Sequence, residues 1–235
     1  MFTVVLLCQC EKDEPNPEVK IHDDNFLNAL IELGVDTDGD SIISPAEAEA
    51  ITFLNVNGRS ISDMTGIQAF VNLEVLYCAG NQLTTLDVSN NTALIELNCG
   101  STQLTTLDVS NNTVLIELNC YNNQLTTLDV SNSTALENLS CHDNQLTILN
   151  VSYCTNLRLL KCNYNKLITL DVSNSTALEW LVCWDNQLTS LDVSNNTALI
   201  ELSCWDNQLT TLDVSNCTAL ISLYCYNNQL TSLDV

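Results

Sequence analysis

The chain has 235 residues, with 29 Asp and Glu against 6 Lys and Arg and a formal charge of −23. Such a surface repels phosphate backbones and anionic headgroups, which excludes nucleic acid as a partner and leaves membrane contact to a lipid anchor. Its 12 cysteines would ordinarily suggest a disulfide framework in an exported chain, but their even spacing argues against one.

Residues 1–10 are an apolar run ending in Cys8-Gln9-Cys10, and residues 11–20 form a polar, Pro-containing tether. The run is too short to span a bilayer. It resembles the end of a bacterial lipoprotein signal, although no basic stretch precedes it and Gln9, rather than a small residue, stands before Cys10. The resemblance makes Cys10 the candidate lipidated residue, because Glu11-Lys12-Asp13-Glu14 resembles the surface-export tags of some Gram-negative lipoproteins. It implies an outer-membrane lipoprotein on the bacterial surface. A secreted or periplasmic protein, lipidation at Cys8 and a plain N-terminal end stay open.

From residue 21 to residue 50 the apolar period is helical and forms a cap. Phe26, Leu27, Leu30 and Ile31 share a face, Asp24 is placed to cap it and Gly34 to end it. A second short helix is expected from Pro45, in the favoured first turn. Between them, residues 36–47 follow the spacing of an EF-hand loop. Asp36, Asp38 and Asp40 stand at ligand positions, with the Ile42 carbonyl, Ser44 and a bidentate candidate, Glu47, completing the set. A hard cation requires such converging oxygens, so Ca2+ is the cofactor expected, with affinity near the millimolar range. Ser41 departs from the pattern, because glycine normally makes the sharp turn at its position. The alternative is an acidic cap without metal.

Residues 51–235 are repetitive. Cys78, Cys99, Cys120, Cys141, Cys162, Cys183, Cys204 and Cys225 follow one another at 21 residues, and one unit reads L-x-x-L-x-C-x-x-N-x-L-x-x-L-D-V-S-x-x-T-x. Alternation around the second Leu and the Cys predicts a short strand with both side chains inward. Asn81, Asn123 and their equivalents suit a buried amide ladder, and the second half, L-x-x-L-D-V, predicts an extended opposite wall. Neighbouring turns about 4.8 Å apart hold their Cα–Cβ vectors parallel, while a disulfide needs Cβ atoms about 3.8 Å apart. The cysteines are therefore expected as buried free thiols. Asp87, Asp108, Asp129 and later equivalents form a column that either accepts turn N–H bonds or collects cations; the first is expected.

This unit resembles the 21-residue cysteine-ladder repeats of some internalin-family adhesins and related bacterial surface lipoproteins. The fold expected is a mostly β leucine-rich-repeat solenoid with a curved parallel sheet and a small α-helical N-terminal cap. The resemblance implies an extracellular, non-catalytic surface that binds protein or glycan. The chain stops in the middle of a unit, so further repeats, a capping segment or another domain are expected to follow.

Function is expected where the repeats differ. The position after each ladder cysteine is outward and holds Tyr121, His142, Trp184, Trp205 and Tyr226, and neighbouring strand positions add Trp180 and Tyr224. Outward aromatics on one concave face mark a partner site, although aromatics also stack well between strands. The leading reading is a surface-anchored adhesion or recognition module; the alternative is a spacer that holds another domain away from the cell. Only His22 and His142 exist as potential bases, so an enzyme is not expected.

Overall fold

The computed structural model describes residues 18–235. The candidate signal, Cys8, Cys10 and most of the tether lie outside the described residues.

Helix α1 (Asp24–Glu32) buries Phe26, Ala29 and Leu30, while Leu27 and Ile31, the rest of the face its apolar period predicts, are only half-buried. Its cap is Asp23, one residue earlier than expected. Asp23 is favoured because one oxygen accepts from the Asn25 and Phe26 N–H groups while the other accepts from the Ser62 N–H and hydroxyl at 2.8 and 2.7 Å. One carboxylate thus starts the helix and fastens it to the first repeat. Helix α2 (Pro45–Glu49) begins with a capping box between Ser44 and Glu47.

The strands are three residues each: β1 (Phe53–Asn55), β2 (Val75–Tyr77), β3 (Glu96–Asn98), β4 (Glu117–Asn119), β5 (Asn138–Ser140), β6 (Leu159–Lys161), β7 (Trp180–Val182), β8 (Glu201–Ser203), β9 (Thr211–Asp213), β10 (Ser222–Tyr224) and β11 (Ser232–Asp234). Among the described residues, β1 to β8 and then β10 make one nine-stranded sheet in sequence order. All its pairings are parallel, with Leu opposite Leu throughout. The first step pairs Leu54 with Leu76, which absorbs the one extra residue of the first repeat without moving the register. Every position of the unit therefore becomes a straight column along the solenoid. Each turn sends its leucines, its valine and its cysteine inward, and the thiols from Cys78 to Cys204 are fully buried. Burying one Leu stabilises by roughly 1.5–3 kcal/mol, so each turn is held chiefly by apolar contact with its two neighbours.

All ten cysteines among the described residues are free. The amide ladder is also present. Asn165 donates to the carbonyls of Cys141 and Cys162, at 3.1 Å each, and accepts from the Leu146 N–H at 2.9 Å. Its equivalents repeat the arrangement, so each Asn joins two turns.

From residue 83 on, the opposite wall carries no helix, as expected. Among the described residues it forms a ladder only between β9 and β11, with one isolated bridge from Asp129 to Asn150. Along this wall Asp87, Asp108, Asp129, Asp171, Asp192 and Asp213 each accept from the N–H of the Ser two residues on. These Asx turns fix the bend and occur both with the ladder, at Asp213, and without it, at Asp87. The same bonds lower the carboxyl pKa values along the column, for Asp171 through the Ser173 hydroxyl first and then its N–H. The column accepts turn N–H bonds, the first of the two roles expected for it.

Candidate recognition face

Strand positions on either side of the inward Leu, and the one after the Cys, form the outer surface of the sheet. The chain leaves that surface through a residue with positive φ in every turn from Gly80 to Asn227. Asp and Asn tolerate the left-handed conformation, which accounts for Asn122, Asp143, Asp185, Asp206 and Asn227 at this rim before any ligand is considered. Ser101 and Tyr164 are the exceptions, with φ of 52° and 50°. A bulky side chain in that region is strained, and the Tyr164 ring meets Trp184 edge-on at 4.2 Å between centroids.

The aromatic column divides into two stacks. Tyr121 and His142 lie parallel at 4.9 Å. Trp184, Trp205 and Tyr226 follow, stacked at 4.1 and 5.1 Å. Asn163, buried, separates the stacks. Gly100 makes room for the first: a Cβ there would stand 2.6 Å from the Tyr121 ring. Of the remaining sequence candidates, Trp180 and Tyr224 stand in the strands and are 37% and 47% exposed. The structure therefore brings all seven predicted aromatic and His positions to one face.

Stacking changes what those rings can offer. Within a stack each ring covers its neighbour's face, so Trp184 and Trp205 present chiefly their edges. Trp180, Tyr224 and the outer side of Tyr226 offer more open surface. Lys161 on β6 and Glu201 on β8 stand on the strands to either side of Trp180. Burial is the main influence lowering the His142 pKa, opposed by the Asp143 carboxylate and aided by Lys161. The ring is therefore mostly neutral at pH 7, and its Nδ1 has no hydrogen-bond partner among the described residues. Nucleophilic chemistry finds no support in the ladder thiols, whose pKa values burial raises, to about 12 for Cys99 and Cys141.

In the cap, carboxylate oxygens of Asp36, Asp38 and Asp40 lie within 4.8 Å of one another. Ser41 adopts φ of 64°, taking the turn that glycine ordinarily makes. Glu47 stands apart from that group. One of its oxygens accepts from the Thr37 N–H and hydroxyl at 2.6 and 2.7 Å, and the other from the Ser44 N–H and hydroxyl at 2.9 Å. Ser44 is correspondingly a helix cap, with its hydroxyl turned to Glu47.

These bonds, the Ser44 N–H first and the Thr37 hydroxyl next, hold the Glu47 carboxyl at about 2 against an ordinary 4.5. Because the folded value is the lower one, its stabilisation is complete above pH about 4.5 and fades towards pH about 2. The melting-temperature gap between the wild type and Glu47→Gln should therefore be largest near neutrality and close on acidification through that window. A gap that is constant with pH would refute the assignment.

One buried column is not apparent from sequence reasoning. Asn91, Asn112, Ser133, Cys154, Ser175, Asn196 and Cys217 line the far turn, all buried. Asn112 and Asn196 donate to carbonyls of the preceding turn at 2.8 to 3.1 Å. The visible signal is the N-N-T triplet, which reads locally as a turn.

Family models describing "Leucine Rich repeats (2 copies)" and "LVIVD repeat" match residues 197–235, and residues 75–102 and 179–204, respectively. Internalin J of Listeria monocytogenes is 42% identical over 70 residues, covering 30% of this chain and 8% of that protein. The solved functional domain of that internalin, described as including a cysteine ladder, is 32% identical with a TM-score of 0.59, covering 92% of this chain and 62% of that one. A leucine-rich-repeat protein of Leptospira interrogans is 28% identical with a TM-score of 0.71, covering 80% and 53%. The chain thus spans less than two thirds of these relatives' length. Its repeats are internalin-like leucine-rich repeats that carry cysteine.

Proposed function

We propose that this solenoid is a non-catalytic recognition module whose sheet face, from Tyr121 to Tyr226, binds a partner protein. The observation that carries the reading is the gathering of all three tryptophans at Trp180, Trp184 and Trp205 on that outer surface, where the core gains nothing from them. Trp and Tyr dominate binding energy at protein interfaces. A glycan is the second reading. It ranks lower because a sugar packs on a free aromatic face, and the stacks leave few faces free.

Replacing Trp184 and Trp205 together by Ala is expected to weaken partner binding by roughly 30-fold or more, with the circular dichroism spectrum unchanged. Protein and glycan arrays probed with the intact chain separate the two partner classes. Binding unaffected by the double substitution would refute this face as the site, and no partner on either array would leave the spacer that holds another domain off the cell. We place the protein on a bacterial surface, anchored through Cys10, with secretion as the alternative. Palmitate labelling that survives Cys10→Ala would refute the anchor.

We further propose that the acidic loop holds calcium through Asp36, Asp38, Asp40, the Ile42 carbonyl, Ser44 and Glu47. Convergence of the three Asp side chains and the left-handed turn at Ser41 support it. Recruiting Glu47 requires it to leave Thr37 and Ser44, consistent with weak affinity. Calorimetry in millimolar calcium should give heat that Asp36→Ala abolishes, and no heat at about 10 mM would refute the site.

A further inference from the structure

Departures from the repeat on the opposite wall converge on one place. In columns that otherwise hold Thr or Ser, Asp, Asn, and Thr respectively, the chain has Ile148, Asn150, Tyr153 and Ile168. Ile148, Tyr153 and Ile168 are 70%, 57% and 54% exposed. Ile148, Asn150 and Tyr153 also close one side of an open groove of about 800 Å³, whose other side carries Asp108 and Asp129.

Tyr153 departs from a structural habit. Asn111, Asn132, Asn174 and Asn195, its column equivalents, each donate to a Ser carbonyl of the preceding turn at 3.1 to 3.3 Å. Tyr153 has no such donor and exposes a ring instead, and Asn156, where other turns have Ala or Val, supplies the bond between turns by donating to the Thr134 carbonyl at 3.3 Å. Asn150 keeps the Asx turn, accepting from the Ser152 N–H at 3.0 Å, yet removes the carboxylate. The column therefore loses its negative charge beside the exposed Ile148 and Tyr153 and keeps it on the turns before and after. An apolar centre free of charge with a charged rim is the anatomy of a protein interface. Local rules broken together without structural gain point to function.

We propose that this groove is a second docking site, separate from the sheet face, for a protein segment with an apolar anchor flanked by Lys or Arg. The anchor packs on Ile148 and Tyr153, and the basic flanks meet Asp108 and Asp129. A second copy of the chain fits poorly, because a symmetric contact on this patch brings two acidic rims together.

Columns supply the test. Ile148→Thr with Tyr153→Asn restores what other turns carry, so the fold is preserved. The intact chain is immobilised and probed with synthetic peptides bearing a central Phe or Leu flanked by Lys, Ser or Glu. Lys-flanked peptides should bind preferentially, lose about tenfold or more in affinity on the double reversion, and be unaffected by Trp184→Ala with Trp205→Ala. Equal binding of the three peptide sets, or binding that survives the reversion, overturns the proposal. So does sedimentation showing a dimer of the chain that the reversion dissociates.

Discussion

Replacing Asn165 by Ala is expected to lower the stability of the solenoid by about 3–5 kcal/mol, more than a surface position of a repeat protein ordinarily costs. The amide serves two turns at once, donating to the Cys141 and Cys162 carbonyls and accepting from the Leu146 N–H. The carbonyls keep second donors in Asn144 and Asn186, but the Leu146 N–H is left buried without its acceptor. An orphaned N–H costs about 1–3 kcal/mol, and two further bonds and a small cavity add to it. The chain contains its own comparison at Thr102, the one ladder position without an amide. Its hydroxyl reaches the Cys99 carbonyl at 3.0 Å and the Asn123 amide oxygen at 2.6 Å, but nothing replaces the acceptor for Leu83. Thr102→Asn should therefore stabilise, by about 1 kcal/mol. Urea unfolding of the three proteins measures both changes. An Asn165→Ala loss below about 1 kcal/mol would show that packing alone holds the turns.

The same ladder shows what could be read from the chain and what could not. A fixed 21-residue period turns each residue into a column, so the sheet, its register and the inward Leu, Cys and Asn were legible without coordinates. Periodicity does not say whether a wall is a ladder or a run of turns. On the opposite wall the same L-D-V segment pairs as a ladder at β9 and β11 and makes no ladder in the earlier turns. Nor does periodicity separate a turn Asn from a buried one: Asn90 and Asn91 are neighbours of the same type, and only the second is buried. On the outer sheet face the positions of Trp184 and Trp205 were legible. Their parallel stacking was not, because ring orientation depends on contacts across turns. In the cap, spacing marked Glu47 as a metal ligand, while in the structure its oxygens go to Thr37 and Ser44.

The buried ladder thiols, from Cys78 to Cys204, are expected to react with a disulfide reagent at pH 8 at least a thousandfold more slowly than an ordinary cysteine. Burial holds Cys99, Cys141 and Cys204 at about 12 and pushes Cys78, Cys120, Cys162 and Cys183 up as well. An exposed thiol with pKa about 8.5 is roughly one quarter ionised at that pH, whereas one at about 12 is ionised to roughly one part in ten thousand. Ionisation alone thus supplies about three orders of magnitude, and exclusion of the reagent adds to it. Labelling must then await the opening of turns. Cys225, which is partly exposed, should label first and the fully buried thiols from Cys78 to Cys204 later, all converging in urea. Mass spectrometry of each cysteine-containing peptide over time reads the order. Equal rates at Cys225 and Cys141 without denaturant, or crosslinks between successive ladder cysteines in native protein, would mean that the thiol column is not the closed core described above.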